Sequence, residues 1–227
     1  MYLIGNGRVV TRDTNAPFIE NGAVVVENDK IVEVGTTDAL KGKYPNAEFV
    51  NVENKVIMPG FINTHHHIYS SFARGMALEG STRNFDEILE NLWWKVDKAL
   101  SLEDTKYSAY ATLIESVKNG TTSVIDHHAS PFAVEGSLKT IAEVAKEIGI
   151  RASLCYEVSD RDGEKIADAG IKENIDFINW ANSQNSDMIK GMFGLHAAFR
   201  LSNETLKKCQ KAMEGVNAGY HVHTAEG

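Results

Sequence analysis

Cysteine is nearly missing from this 227-residue sequence: only Cys155 and Cys209 occur, and neither stands in a CxxC or other ligand spacing. A disulfide-stapled scaffold and a thiolate metal site are therefore not expected, and the two residues read as free thiols of a reducing compartment. Positive charge is also short. Lysine and arginine total 23 against 31 aspartates and glutamates, for a net charge of −8. An acidic chain repels phosphate backbones, so nucleic acid is not the expected partner. No apolar run approaches the ~20 residues that a membrane span needs, so no membrane partner is expected either. Met1 to Asn6 has neither the basic region nor the apolar region of a secretory signal. A cytoplasmic location is the expectation. What remains is the balance of a folded globular protein, 43% hydrophobic and 24% charged.

The first 58 residues are β-rich. GAVVVENDKIVEVG, Gly22 to Gly35, places two apolar runs around the polar turn Glu27-Asn28-Asp29-Lys30 and predicts a hairpin. A second pair is expected from Phe49 to Val52 and Lys55 to Met58, turning at Glu53-Asn54. Together these predict a small β-sandwich segment over 1–58.

From Pro59 the rhythm changes to strand and helix in alternation. Strands are expected at Phe61 to Thr64, Ser123 to Asp126, Arg151 to Val158, Ile189 to Leu195 and Tyr220 to His223. Helices are expected at Phe85 to Leu100, Leu102 to Asn119, Leu138 to Ile148, Ile171 to Asn182 and from Ser202 to near Gly215. Ser101 and Asp104 have the spacing of a capping box, and Gly120 lies just past that helix. Alternation of this kind predicts right-handed crossovers and a parallel sheet, an α/β fold. A (β/α)₈ barrel needs eight strands. Five leave two readings: a piece of such a barrel, or an open five-stranded sheet.

The chemistry-bearing residues fall at strand ends. Successive strand residues point to opposite faces, so His65 and His67 share a face and His66 points away. Two imidazoles on one face can ligate one metal ion, or can be hydrogen-bonded polar groups. His221 and His223 repeat the pattern, and Glu226 follows where a carboxylate could reach water at a metal-bound site. Asp126, His127 and His128 end the second strand, and His196 ends the fourth. For these, loop hydrogen bonding and substrate contact both stand. Trp93 and Trp94 lie on the helix after the first strand, as core or interface aromatics or as a cover for substrate.

Pro59-Gly60-Phe61-Ile62-Asn63-Thr64-His65-His66-His67 resembles the PGF-x-N-T-H-x-H signature of the amidohydrolase superfamily. Gly120-Thr121-Thr122 is similar to its second-strand GTT, and His223 to Glu226 to its fifth-strand H-x-x-E. The likeness covers the whole chain. It is strongest to the aminohydrolase branch of deaminases and triazine chlorohydrolases, and Asn91 to Lys95 with Ser123 to Pro131 resemble the SsnA-type aminohydrolases.

The resemblance implies the N-terminal part of a TIM-like (β/α)₈ barrel, its first half over 59–227, in a chain shortened relative to the family. It implies His65, His67 and His223 as metal ligands and Glu226 as catalytic proton shuttle. His196, His128 and Trp94 would contact substrate. One divalent ion is implied, Zn²⁺ first and Fe²⁺ second. The fourth strand carries only Lys190, at its start, which favours one metal over a pair bridged by a carboxylated lysine. A family sixth-strand histidine and eighth-strand aspartate have no counterpart here. His196-Ala197-Ala198-Phe199-Arg200 departs from the family's HAP[YF][TS]. The expected activity is hydrolysis of a non-peptide C–N bond in a small heterocyclic amine, with a homodimer compatible with the family. The alternative is a catalytically inactive metal-binding or scaffold module.

Overall fold

The computed structural model describes residues 1–77 and 80–225, so the expected proton shuttle Glu226 lies outside the described residues. The chain divides into two compact units, Met1–Gly60 and Phe61–Gly227.

The first unit is one five-stranded sheet. It contains β1 (Tyr2–Val10), β2 (Phe18–Glu27), β3 (Lys30–Thr36), β4 (Glu48–Asn51) and β5 (Val56–Ile57), with α1 (Thr37–Lys43) after β3. The β2–β3 hairpin forms at the expected turn, with Glu27 opposite Lys30. The second expected hairpin does not form. β4 and β5 do not pair with each other but lie one after the other along β1, both parallel to it. Glu53 and Asn54 hold positive φ of 52° and 64°, and this jog matches one in β1 at Asn6, φ 58°. Asn54 N–H donates to Asn6 O at 2.7 Å across the two jogs. A polar Glu-Asn pair thus steps the chain sideways instead of reversing it. Within the first unit the described strands of the expected β-sandwich segment form this one sheet. Its core is Leu3, Ala23, Val25 and Leu40, the last supplied by α1, a helix that the sequence reading missed.

The second unit alternates strand and helix. In chain order it runs β6 (Phe61–His66), α2 (Phe85–Ile88), α3 (Trp94–Ala99), α4 (Leu102–Lys118), β7 (Thr121–His128), α5 (Ser137–Ile148), β8 (Arg151–Tyr156), α6 (Glu164–Ser183), β9 (Ile189–Gly191), β10 (Phe193–Ala197), α7 (Asn203–Ala212) and β11 (Tyr220–His223). β6, β7, β8 and β9 form a parallel sheet in sequence order, and β10 and β11 form a parallel pair. The expected fourth strand is therefore split at Met192, whose N–H is taken by Leu154 O at 3.0 Å. A bridge from Val158 to Leu195 continues the line of β8 onto β10. This is the α/β class. The core beneath the strands gathers Leu113, Val124, Leu138, Ile141, Ala152, Leu154 and Ile189.

Two helices differ from expectation for physical reasons. The stretch from Phe85 is not one regular helix: α2 and α3 are joined by a single π turn, Leu89–Trp93. α6 starts seven residues before its expected start, because Gly170 sits inside it where a break is normally read. A Cβ at Gly170 would lie 3.0 Å from the Tyr156 ring, so the glycine lets α6 pack tightly on β8. α4 begins as read. Ser101 Oγ accepts from Asp104 N–H at 3.2 Å, and Ser101 N–H donates to Asp104 Oδ2 at 2.9 Å. Ser101→Ala is expected to cost about 1 kcal/mol of stability in a urea titration, with the unfolding slope unchanged.

Candidate metal centre and cavity

The site stands at the C-terminal ends of the parallel strands, where loop geometry frees side chains from the sheet. β6 ends in His65 and His66, and His67 follows directly. The turn after it is pinned by Asp126 at the end of β7, whose Oδ1 accepts from Ile68 N–H at 2.6 Å. Asp126 is fully buried, and burial pushes its carboxyl up to about 7, partly offset by that bond. His66 points away from the other two, its Nδ1 lying 3.9 Å from Asp126 Oδ1.

His65, His67 and His223 converge. One ligand-type atom from each falls in a group with all separations within 4.8 Å. Their ring centroids are 4.9, 5.0 and 5.2 Å apart. Two of the rings are oriented by backbone. His67 Nδ1 is 2.7 Å from His127 O, and His223 Nδ1 is 2.8 Å from His196 O. A carbonyl only accepts, so both Nδ1 atoms carry the proton and both Nε2 atoms carry a lone pair. Those two Nε2 atoms face each other at 3.2 Å. Two lone pairs at that distance repel unless a cation lies between them. A proton is disfavoured there: burial, with the charge of His127 beside it, drives His67 down to about 3. Two nitrogens ~2.05 Å from one tetrahedral ion stand roughly 3.3 Å apart, which fits. His65 completes the group, and its Nδ1 meets His221 Nε2 at 2.9 Å.

A second grouping, His127, Glu157 and His223, also meets the distance condition. His223 has one ring nitrogen left after its bond to His196 O, so both groupings cannot be filled together. Glu157, just past β8, is buried and its oxygens are already engaged. Oε2 is 3.3 Å from His127 Nδ1, close but poorly aligned, and Oε1 is 3.2 Å from His196 Nδ1. Burial alone would push Glu157 up. The contact with His127 and the charges of His196 and Arg161 outweigh it and hold the carboxyl well below its usual range.

These groups line a cavity of about 190 Å³ together with Tyr69, Trp93, Trp94, Asp97 and Arg161. Its size suits a small molecule. Arg161 pairs with Asp97 at 2.5 Å and Asp162 at 3.1 Å, and stacks over Trp94 at 5.4 Å. Burial pushes Asp97 up to about 6 against the pull of Arg161.

Of the residues expected to meet substrate, His196 and Trp94 line this cavity and His128 does not. His128 is fully buried behind it, with Nε2 3.0 Å from Ser130 Oγ, because one residue further along β7 turns a side chain to the opposite face. Glu157, Asp97 and Arg161 were missed. The signal for Glu157 was present: a carboxylate closing the run Ala152-Ser153-Leu154-Cys155-Tyr156, at the C-terminal strand ends that also carry the site's histidines.

Burial pushes His128 down to about 3 from 6.5. The unfolded chain then binds a proton that the fold refuses, so stability falls as pH drops from 6.5 towards 3. At pH 5 the loss is about 2 kcal/mol. Asp126 acts in the opposite sense, so the measurement is a difference. Urea midpoints of the wild type and His128→Gln are expected to converge between pH 7 and pH 5; parallel profiles would refute this.

Parallel strands whose C-terminal ends bring histidines together beside a small cavity define an α/β protein with a candidate metal site. The chain belongs to the amidohydrolase family, whose model matches residues 56–227. Residues 22–47 match the imidazolonepropionase-like composite domain of bacteria. The chain is 30% identical over 224 residues to the 5'-deoxyadenosine deaminase of Methanosarcina mazei, covering 99% of this chain and 49% of that one. It is 29% identical to the 5-methylthioadenosine/S-adenosylhomocysteine deaminase of Bacillus cereus, covering 97% and 49%. Among solved structures it is similar to a mutant of atrazine chlorohydrolase TrzN from Arthrobacter aurescens TC1 complexed with zinc and atraton, TM-score 0.81 at 20% identity, covering 100% of this chain and 53% of that one. The chain thus spans about half the length of the curated relatives it matches. No helix among the described residues is long and apolar enough to cross a membrane.

Proposed function

We propose that this chain carries the N-terminal half of a TIM-like barrel in a metal-dependent hydrolase that cleaves a non-peptide C–N bond of a small heterocyclic amine. The observation that carries this is the pair of lone-pair-bearing nitrogens, His67 Nε2 and His223 Nε2, facing at 3.2 Å. Neither ring can relieve that contact by rotation, since each is tied to a carbonyl.

His65, His67 and His223 would hold one divalent ion, zinc before iron. Such an ion acidifies water to near neutral pH and polarises the substrate. The chain's own groups do the rest. Trp93, Trp94 and Tyr69 wall the cavity and exclude bulk water from the reacting carbon. His196 and the Asp97–Arg161 pair orient the substrate's polar edge. Glu226 takes a proton from the attacking water and returns it to the leaving nitrogen. Its place three residues beyond His223 supports that role. The amine-releasing character of the relatives' printed activities supports the C–N bond as the target.

Elemental analysis of purified protein, with ammonia release from a panel of aminated purines, pyrimidines and triazines, tests the reading. One equivalent of zinc or iron and turnover of at least one ring are expected. Glu226→Gln should keep the metal and lose turnover. A protein that binds no divalent ion at micromolar concentration would overturn the proposal.

A further inference from the structure

The longer helices of the second unit do not dress their outer sides alike. The exposed positions of α5 are Lys139, Glu143, Lys146 and Glu147, and α6 and α7 likewise show only polar residues at their exposed positions. α4 breaks the pattern. It buries Thr105, Ala109, Thr112 and Leu113 against the core. Tyr107 and Ile114 project from the opposite side, 56% and 47% exposed. Between them stand Ala111 and the half-buried Tyr110, whose ring is 6.4 Å from that of Tyr107. Glu103 and Lys118, both exposed, close the two ends of this stripe. Positions 103, 107, 110, 114 and 118 alternate steps of three and four, the seam into which a second helix packs. A contiguous apolar stripe held out to water, with charges at its ends, marks an interaction surface.

The charges at the ends decide what fits. Glu103 enters no ion pair among the described residues, and Lys118 meets only its own Glu115, at 2.7 Å. A parallel copy of α4 would set Glu103 on Glu103 and Lys118 on Lys118. An antiparallel copy brings Glu103 of each chain to Lys118 of the other, and Tyr107 of each to Ile114 of the other. Tyr110 and Ala111 then straddle the centre. Every contact is made twice, as a two-fold axis requires. The stripe is thus complementary to itself in one direction and opposed to itself in the other. We infer that the outer side of α4 is the two-fold interface of a homodimer, in which two copies of this helix pack antiparallel with Tyr107 against Ile114 and Glu103 against Lys118.

Light scattering over a dilution series reads the mass in solution. Wild type is expected at twice the chain mass at about 100 µM and to dissociate on dilution, since a helix pair is a small interface. Ile114→Arg enters the interface twice and should raise the dissociation constant at least about a hundredfold. Glu103→Lys should raise it roughly five- to tenfold, and adding Lys118→Glu should recover most of that loss. The recovery reports the antiparallel register alone, because the two positions stand ~22 Å apart along one helix and cannot meet within a chain. All three side chains are exposed, so the variants remove no core residue, and circular dichroism confirms that each is folded. A wild type that is monomeric at the highest concentration overturns the inference. So does a dimer that Ile114→Arg leaves as tight as before, because the contact then lies elsewhere. A Glu103→Lys loss that Lys118→Glu deepens overturns the antiparallel register.

Discussion

Zinc affinity is expected to fall well beyond a hundredfold in His223→Ala, measured by competition with a chelating dye. Loss of an outer partner of a ligand costs about 10–100-fold, so loss of the ligand itself must exceed that. His223 is the residue to test because it belongs to both groupings of ligand-type atoms, and its removal dismantles either. The substitution removes no core residue, since the ring is only partly buried at the end of β11. It also releases His196 O, which His223 Nδ1 contacts at 2.8 Å. A melting temperature close to wild type without metal, together with lost stabilisation by added zinc, is the expected signature. His128→Gln should bind zinc normally, because His128 lies behind the cavity. Equal zinc affinity in His223→Ala and wild type would remove the basis of the metal centre.

Gly194→Ala should be the most damaging single methyl in the second unit. A Cβ at this position would stand 2.2 Å from Tyr156 O and 2.7 Å from its carbonyl carbon. Both are backbone atoms of β8, so no side chain can swing aside. Overpacking usually costs 1–3 kcal/mol, and a rigid neighbour puts this case at about 3 kcal/mol or more. The clash would push β10 away from β8 and break the bond from Val158 N–H to Gly194 O, now 3.2 Å. His196 lies two residues further on β10. Its distance to Glu157 would lengthen, so the variant should lose ligand affinity as well as stability. Urea unfolding and the KM for a ring turned over from the amine panel measure the two effects. A variant as stable as wild type would show that β8 and β10 have more freedom than their spacing implies.

Much of the second unit was legible because its signals are local. Period-two alternation set His65 and His67 apart from His66, and the same rule applied to β11. The strand ends coincide with polar clusters, so the cavity's location followed from the strand assignments. What was not legible depends on pairing across the sheet. Whether β4 and β5 form a hairpin or run in file along β1 turns on two positive-φ residues, whose identities, Glu and Asn, suit either outcome. The start of α6 was not legible because the partner that calls for Gly170 inside it, the Tyr156 ring, is 14 residues earlier and invisible locally. Glu157 and Arg161 were passed over for a similar reason. Glu157 reads as an ordinary strand-end charge and Arg161 as an ordinary loop charge until Asp97, His127 and His196, from three other segments, are seen around them. His128 shows the converse: a histidine at the right strand end but on the wrong face.

The π turn at Leu89–Trp93 has a consequence for which side chains border the cavity. It holds one residue more than a regular helical turn would, which rotates everything after it by about 100°. Trp94 and Asp97 both follow that turn and both border the cavity. Wound as a regular helix, the same residues would carry the indole and the carboxylate round the helix axis and present two different side chains instead, whereas deleting one residue of the turn would restore ordinary winding and leave both on the cavity side. The one surplus residue is thus what turns this indole and this carboxylate toward the chamber, independently of the histidines at the strand tips.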